Sequence, residues 1–395
     1  MNAPHDLPHD AALARLIDRV RAAAADATPL AITGHGSKSF LGGPINGERL
    51  DTSELAGIVS YEPTELVITA RAGTPLIHLE ALLAECDQCL PFEPPRFGDE
   101  LLASGTVGGM VAAGLAGPSR AAVGGVRDYM LGAVLLNGRA ELLHFGGQVI
   151  KNVAGYDVSR LLAGSMGELG LICEVSIKVL PIAVAEATLR FECDETAALR
   201  QLNLLGGKPL PINASAWWNG TLLLRLRGAR AAVDAAQRKL GGELIEPRMA
   251  QAFWGGLRDQ HDEFFAKVER QVDDGAPNGV PLTLWRVSVP QTAPVLPLPG
   301  EQLIEWGGAL RWWCTPAPAS VVREMARERG GHATLWRAAG DRSALALDGT
   351  ASPRRSAAEV YAPLPPPLDR IHRQLKAAFD PHALFNRGRL LPSVA

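Results

Sequence analysis

The stretch that decides the fold reads Gly105-Thr-Val-Gly-Gly-Met-Val-Ala-Ala-Gly114, in the most glycine-rich part of the chain. Sixteen glycines fall in the 73 residues from Gly98 to Gly170, where average usage of roughly 7% would place about five. Paired glycines such as Gly108 and Gly109 let the main chain approach a large flat ligand where a Cβ would collide. The pattern indicates a domain built around a ligand.

A second glycine loop, Thr33-Gly-His-Gly-Ser-Lys-Ser39, directly follows a predicted strand at residues 30–33. Its backbone N–H groups could form an anion-binding nest around a pyrophosphate. The loop is not a Walker motif, because Ser37 separates Gly36 from Lys38, and it is not a Rossmann fingerprint, because Gly42-Gly-Pro44 breaks the helix that should follow. An ordinary turn is the alternative interpretation of such a heptapeptide.

The third loop comprises Lys151-Asn-Val-Ala-Gly-Tyr-Asp157 and the following Gly164-Ser-Met-Gly-Glu-Leu-Gly-Leu-Ile172. Each loop by itself is compatible with a tight turn or a bulge. Three of them in one region predict a cofactor site.

Composition excludes several classes of protein. The 395 residues are 47% hydrophobic and 21% charged, with 39 Lys and Arg against 42 Asp and Glu. A net charge of −3 argues against nucleic-acid binding. Five scattered cysteines, including Cys86-x-x-Cys89, predict ordinary thiols in a reducing compartment. Five glycines in the uncharged run 101–119 argue against a membrane helix. We therefore expect a cytoplasmic protein without a signal peptide.

The distribution of tryptophan indicates a second domain. All eight tryptophans lie between Trp217 and Trp336, outside the glycine-rich region. A β-rich run ends at Leu180-Pro181, so we expect one domain over residues 1–182 and another over 183–362. We expect residues 363–395 to form a third unit, a C-terminal helix and tail.

Periodicity predicts an α+β protein. Residues 13–20 and 74–84 have helical spacing, and residues 66–69, 132–136 and 171–180 predict strands. In the second region, Asn219-Gly220 predicts a hairpin with a type I′ turn, and residues 230–240 and 320–329 predict helices. Further strands are expected at 282–289, 309–314 and 332–337, and the proline-rich segments 290–299 and 362–367 are interpreted as linkers.

The three loops together resemble the FAD-binding domain of the vanillyl-alcohol-oxidase, or PCMH-type, flavoprotein family. Further motifs are similar to the FAD-binding subunit of glycolate oxidase, the smaller flavin subunit of that complex: Phe92-Glu-Pro-Pro95, Gly117-Pro-Ser-Arg120, Lys151–Arg160, Trp306–Trp312, Gly331–Arg337 and Phe379–Arg389. The resemblance implies a PCMH-type domain of two α/β subdomains, an antiparallel-sheet α+β cap, and a C-terminal helix that returns to the FAD domain.

The resemblance also implies FAD-binding residues. They are Gly34, His35, Gly36, Ser37, Lys38 and Ser39 at the pyrophosphate, Thr106, Gly108 and Gly109 at the pyrophosphate and flavin edge, Gly124, Arg127 and Asp128 at the next turn, Ile172 at the adenosine end, and Pro95 and Asn386. A histidine that is covalently attached to flavin in some relatives aligns with Gly36, so non-covalent FAD is expected. Arg387 departs from the family, which more often has proline there.

Oxidation of a 2-hydroxy acid needs a hydride acceptor, a base for the hydroxyl proton and cations for the carboxylate. His332, Arg311 and Arg337 are the candidate catalytic residues, because they lie in the cap motifs of the resemblance. Tyr156 is a further candidate proton donor, with a buried structural tyrosine as the alternative. The chain lacks the Gly-Asp-Gly-Asn-x-His metal motif of related caps, so we expect no metal site.

The resemblance implies two partners, a larger FAD subunit and an iron–sulfur subunit, and peripheral membrane association only through them. Three functions stay open. The chain could pass electrons from glycolate to the iron–sulfur subunit or another acceptor, with glyoxylate as product. It could be a structural FAD-binding subunit without turnover, or a stand-alone reductase of the UDP-N-acetylenolpyruvoylglucosamine reductase type.

Overall fold

A computed structural model describes residues 10–97, 104–147, 157–274, 279–339 and 355–392. The helices are Ala11–Asp26 (α1), Leu76–Ala84 (α2), Val107–Ala113 (α3), Arg120–Val123 (α4), Val126–Tyr129 (α5), Glu195–Gly206 (α6), Arg230–Leu240 (α7), Pro247–Asp259 (α8), Glu263–Asp274 (α9), Ala319–Glu328 (α10), Ala357–Val360 (α11) and Pro366–Phe379 (α12). The strands are Leu30–Thr33 (β1), Glu48–Asp51 (β2), Ile58–Glu62 (β3), Val67–Arg71 (β4), Gln88–Cys89 (β5), Met130–Leu136 (β6), Leu142–Gly146 (β7), Leu171–Lys178 (β8), Leu180–Pro181 (β9), Ala185–Glu192 (β10), Ile212–Trp218 (β11), Thr221–Gly228 (β12), Glu243–Leu244 (β13), Thr283–Ser288 (β14), Glu301–Glu305 (β15), Leu310–Thr315 (β16) and His332–Ala338 (β17).

Two large sheets organise the chain. The first has the antiparallel order β3-β4-β8-β6-β7. Its central strand β8 is buried on both faces except at Glu174 and Lys178, as expected for a strand covered on each side. Helices α2 and α3 pack against the sheet through Leu79, Val107 and Met110. The result is a covered sheet with α3 close to its surface.

A smaller α/β unit lies beside this sheet. Strands β1 and β2 pair in parallel, and α1 covers them with Leu13, Leu16 and Val20, whose spacing places them on one helix face. Helix α1 begins at Asp10, whose carboxylate accepts hydrogen bonds from the N–H groups of Ala12 and Leu13. This unit carries the loop that leaves β1 at Thr33.

The C-terminal segment closes the first region. The N–H of Leu30 donates to the carbonyl of Leu384 at 2.8 Å, and the N–H of Asn386 donates to the carbonyl of Leu30 at 3.0 Å. Lys376 of α12 donates to the carbonyls of Glu168 and Phe385 at 2.6 and 2.8 Å. The predicted return of the C-terminal helix to the first region is thereby confirmed.

The second large sheet has the order β13-β10-β12-β11-β15-β16-β14-β17. Strands β11 and β12 form the predicted hairpin. Asn219 and Gly220 have φ values of 47° and 81°, the left-handed backbone that a type I′ turn requires. The α+β class and the antiparallel cap are therefore confirmed.

The proline-rich segment 290–299 differs from the linker that the sequence predicted. Ala293, Leu296 and Leu298 are buried against the second sheet, and the carbonyls of Ala293 and Pro294 accept hydrogen bonds from Arg311. Proline removes a backbone donor but leaves the carbonyl acceptors and apolar side chains. A segment rich in proline can therefore still belong to a core.

Charged groups join the two sheets. The carboxylate of Glu93, between β5 and α3, accepts from Arg225 at 2.7 and 2.8 Å and from Arg227 at 3.0 Å, both on β12. Burial opposes ionisation of Glu93, but the charges of Arg225 and Arg227 outweigh it, so its pKa is lowered.

In the part of the chain that the structure describes, no helix is both long and apolar enough to cross a membrane.

Replacement of Glu93 tests how strongly this ion pair holds the two regions together. Glu93→Gln should lower the free energy of unfolding at pH 7 by about 3 kcal/mol, because Arg225 loses its counter-charge. Since the native pKa is lowered, this contribution is complete above about pH 4.3 and is lost as pH falls through the native pKa. Urea unfolding from pH 7 to pH 3.5 measures the difference.

Glu186→Gln is the matched control, because Glu186 pairs with Arg227 from a more exposed position. Its cost should stay below about 1 kcal/mol. Equal costs for the two substitutions would show that Glu93 does not have this role.

Candidate functional site

A cleft of about 860 Å³ opens between the smaller α/β unit and the start of α3. Its walls come from the loop after β1, the strand ends around Ala72 and Ile172, helix α3, the turn near Met166 and the C-terminal segment. The lining residues that the sequence predicted are Gly34, His35, Gly36, Ser37, Lys38, Ser39, Thr106, Gly108, Gly109, Ile172 and Asn386. Residues separated by more than 300 positions therefore meet at one cleft.

The loop 34–39 offers hydrogen-bond donors to this cleft. Gly36 has a φ of 75°, and the N–H of Ser39 closes a turn onto its carbonyl at 2.9 Å. Among the described residues, the N–H groups of Gly34, Gly36, Ser37 and Lys38 donate to no protein acceptor. The Oγ1 of Thr33 is buried and likewise has no hydrogen-bond partner there. Such orphaned donors suit a phosphate group.

Lys38 adds a titratable cation to the loop. Its Nζ lies 3.5 Å from Ser37 Oγ and 5.5 Å from the centre of the Phe97 ring. Burial lowers the pKa of Lys38 to about 8, although Asp259 and Glu80 partly oppose this. At neutral pH the ammonium is mainly charged, and it becomes neutral in mild alkali.

Glycine is required where the loop meets the start of α3. A Cβ on Gly34 would lie 2.5 Å from Thr106 Oγ1, and a Cβ on Gly105 would lie 2.8 Å from Ser37 Oγ. Thr106 Oγ1 in turn accepts the N–H of Gly109 at 3.2 Å, which caps the helix. The close approach therefore builds one wall of the cleft.

Gly108 and Gly109 differ in what they face. A Cβ on Gly108 would lie 2.6 Å from the Cβ of Ala72, so Gly108 allows α3 to pack on the end of β4. Gly109 is exposed, and a Cβ there would meet only Thr106 Oγ1 within 4 Å. Gly109 leaves open space in the cleft that a flat ring system could occupy.

The C-terminal segment supplies two further lining residues. Asn386 accepts the N–H of Ile32 at 2.8 Å and donates to the carbonyl of Met166 at 2.7 Å. Arg389, which the sequence analysis missed, is buried and donates to the carbonyls of Ser39 and Gly43 at 3.1 and 2.6 Å. The run Asn386-Arg-Gly-Arg389 was its only sequence signal.

Four predicted cofactor residues lie outside this cleft lining. Gly124 lies between α4 and α5, and Arg127 and Asp128 lie in α5, where Asp128 accepts the N–H of Gly125 at 2.8 Å. Pro95 lines a second cleft of about 330 Å³. Their assignment to FAD stays a prediction.

The candidate catalytic residues do not converge on one point within the described residues. Arg311 is fully buried and donates to the carbonyls of Gly308, Ala293 and Pro294. Arg337 lies over the Phe40 ring, 3.3 Å from its centre, next to the loop. His332 is exposed at the start of β17, where partial burial and the charge of Arg286 lower its pKa. Tyr156 lies outside the described residues.

The second cleft lies between the two large sheets. Phe97, Leu115 and Pro118 line one side, and the other side includes Arg286 and Glu305. Burial raises the pKa of Glu305 to about 8, against the lowering effect of the hydrogen bond from Trp312. Burial and the charge of Arg120 lower the pKa of Arg286 to about 10. The sequence analysis identified neither Arg286 nor Glu305, because isolated charges on predicted strands carry no motif.

Comparison with known proteins gives the family of the chain. Residues 11–146 match the family described as FAD binding domain. Glycolate oxidase subunit GlcE of Escherichia coli (strain K12) is 45% identical over 375 residues, 95% of this chain and 96% of the relative. Glycolate oxidase subunit GlcD of Bacillus subtilis is 28% identical over 169 residues, 42% of this chain and 35% of the relative. A solved structure of alkyldihydroxyacetonephosphate synthase has a similar fold, with a TM-score of 0.57 at 13% identity over 97% of this chain and 74% of that one.

The fold, the glycine-lined cleft and the family match define a FAD-binding flavoprotein of the PCMH type, within the FAD-linked oxidoreductases. The alignment with glycolate oxidase subunit GlcE covers nearly the whole of both chains, and the chain belongs to the family of that subunit. The N–H groups of Gly34, Gly36, Ser37 and Lys38, which have no protein acceptor among the described residues, and the open space above Gly109 are compatible with FAD as the cofactor.

The open space above Gly109 can be tested with a branched side chain. Gly109→Val should abolish stoichiometric FAD binding while the protein stays folded, because the added carbons enter the cleft and not the core. FAD content after gel filtration and the circular dichroism spectrum are the measurements. Gly255→Val is the control, since a Cβ at Gly255 on α8 meets nothing within 4 Å and Gly255 lines neither cleft. Full FAD occupancy in Gly109→Val would contradict the placement.

Lys38 predicts a pH-dependent affinity for FAD. The pyrophosphate favours the charged ammonium, so affinity should fall as pH rises through about 8, by up to about tenfold between pH 7 and pH 9. Titration of the apoprotein with FAD, followed by flavin fluorescence, measures the dissociation constant. Lys38→Arg keeps the charge throughout this range and should remove most of the dependence. A wild-type affinity that does not change with pH would contradict the role of Lys38.

Proposed function

We propose that the chain is the FAD-binding subunit of a complex that oxidises glycolate to glyoxylate. The observation that carries the proposal is the 45% identity to Escherichia coli glycolate oxidase subunit GlcE, which spans nearly the whole length of both chains. A D-lactate dehydrogenase of Anaerostipes hadrus, 28% identical over 38% of this chain, also has a name that refers to a 2-hydroxy acid. Small 2-hydroxy acids are therefore the proposed substrate class.

The proposed reaction needs a hydride acceptor and a group that takes the hydroxyl proton, and the described clefts can hold the first of these. Oxidation of a 2-hydroxy acid breaks the C–H bond with its electron pair and removes the hydroxyl proton. FAD, when bound, supplies the hydride acceptor. The loop 34–39 and Lys38 would hold its diphosphate, and Gly109 would leave room for its rings. Arg389 would keep the loop in place through the carbonyl of Ser39, and Asn386 would hold the strand before it through the N–H of Ile32.

Among the catalytic residues predicted from the sequence, Arg337 has the best support as a cation that contacts the substrate. Its guanidinium lies beside Phe40, directly after the cofactor loop. Arg311 is already engaged by three carbonyls, and His332 lies at an exposed strand end. Arg311 and His332 stay proposed catalytic residues, and we expect their replacement to lower activity less than replacement of Arg337. The same holds for Tyr156 as a proton donor.

The partners belong to the proposal as well. We expect a larger flavin subunit and an iron–sulfur subunit that receives the electrons, and domain boundaries near residues 182 and 362. The separation of the candidate catalytic residues favours a second function, in which this chain is a structural FAD subunit and the larger partner oxidises the substrate. The two functions differ in whether FAD on this chain takes part in electron transfer.

Reconstitution with Gly109→Val separates these functions. The three subunits are expressed together, and glycolate-dependent dye reduction is measured for wild type, Gly109→Val and Gly255→Val. If FAD on this chain lies on the electron route, turnover should fall at least about tenfold in Gly109→Val while the complex still assembles. Unchanged turnover with FAD absent from this subunit would identify the structural role. Rapid glycolate oxidation by the isolated chain, or failure to assemble with either partner, would contradict the heteromeric assignment.

A further inference from the structure

The 330 Å³ cleft between the two sheets has polar groups that the cofactor site does not use. Arg286 lies on β14, between β16 and β17, opposite Trp312 and Thr334. Its guanidinium lies 5.2 Å from the centre of the Trp306 ring and 5.9 Å from that of Trp312. At these distances the faces of aromatic rings attract a cation, but they do not neutralise its charge.

Arg286 differs from the other arginines of the core. Arg225 pairs with Glu93 and Asn213, Arg311 donates to three carbonyls, and Arg389 donates to two. Among the described residues, Arg286 makes no hydrogen bond and no ion pair, although it is half-buried and lines the cleft. A guanidinium that is partly withdrawn from water gains from an anionic or carbonyl partner. Arg286 therefore offers a positive charge with which an anion in the cleft can pair.

Glu305 supplies the second polar group. It is only 4% exposed, it lines the same cleft, and one of its oxygens accepts the indole N–H of Trp312 at 2.7 Å. Because burial raises its pKa to about 8, the carboxyl is mainly protonated at neutral pH and does not cancel the charge of Arg286. A protonated carboxyl can donate to, and accept from, a hydroxyl or carbonyl oxygen.

The surroundings limit the size of the ligand and place it near the cofactor cleft. Phe97 and Trp336 line the second cleft, and both rings contact Phe40, at centroid distances of 5.3 and 5.5 Å. Phe40 follows the loop 34–39 directly, and Lys38 lies against Phe97. These rings lie between the two clefts, and the second cleft is much smaller than the first, at about 330 against 860 Å³, so a ligand there would be small.

We infer that this second cleft binds a small organic carboxylate, with the carboxylate group paired to Arg286 and an adjacent hydroxyl or carbonyl oxygen in contact with Glu305. A two-point site of this kind distinguishes a 2-hydroxy or 2-oxo acid from an acid without the second oxygen. The inference rests on the proposed function for the identity of the carboxylate. The binding itself depends only on the cleft.

Isothermal titration of the FAD-loaded chain with glycolate, alone and in the co-purified complex, tests the site. Arg286→Met keeps the length of the side chain and should weaken glycolate binding at least about tenfold. Arg323→Met is the matched control, because Arg323 also lies over a tryptophan, 5.7 Å from the Trp285 ring centre, but lines neither cleft. It should bind glycolate as the wild type does. Ethylene glycol, which lacks the carboxylate, should not bind.

Glu305→Met, which keeps the side-chain length but removes the donor and the acceptor, provides a second readout, which is useful if Arg286→Met folds poorly. It should weaken glycolate binding several-fold and leave acetate binding unchanged, because acetate has no second oxygen for residue 305. Glycolate binding that is independent of Arg286 and Glu305, or absent from both the chain and the complex, would overturn the inference. A wild-type complex that binds glycolate through Arg286 but does not oxidise it would instead contradict the proposed function. The inferred binding site would then still hold.

Discussion

The close approach of two backbone segments positions the rest of the cofactor region. The loop after β1 and the start of α3 lie so near to each other that a Cβ on Gly34 would come within 2.5 Å of Thr106 Oγ1. A Cβ on Gly105 would likewise come within 2.8 Å of Ser37 Oγ. This contact needs glycine on both sides, and it brings the loop into the wall of the cleft. The C-terminal segment adds to this wall, since Asn386 accepts the N–H of Ile32 and Arg389 donates to the carbonyl of Ser39.

The interface between the two sheets depends on a different constraint, the matching of buried charge. Glu93 neutralises Arg225 and Arg227 across this interface, and within the second region backbone carbonyls accept hydrogen bonds from Arg311. Such partners are needed because a buried guanidinium without one would cost several kcal/mol. Arg286 is the exception among these arginines, within the described residues. An unmatched cation in an otherwise satisfied interface is more informative about a ligand than any of the paired ones.

The paired glycines show how far a motif can be interpreted from sequence. Gly108 and Gly109 are adjacent, and the same argument of close approach to a flat ligand applied to both. In the structure, Gly108 faces Ala72 in the core, while Gly109 faces the open cleft. Successive residues of a helix point about 100° apart, so one glycine serves packing and its neighbour serves the site. Sequence spacing cannot assign the two faces until the orientation of α3 on the sheet is known.

Local patterns in the sequence determined much of this protein. Apolar spacing predicted α1 and α7, the Asn219-Gly220 pair predicted the hairpin of the cap, and glycine density located the cofactor region, because propensity, turn chemistry and close approach act over a few residues. The packing of the proline-rich segment 290–299, the return of Arg389 to Ser39 and the isolation of Arg286 depended on contacts between residues distant in the chain. Burial and pairing of a charged side chain are decided by which segments surround it. Only the tertiary structure could therefore separate the arginines that have protein partners from Arg286, which has none among the described residues.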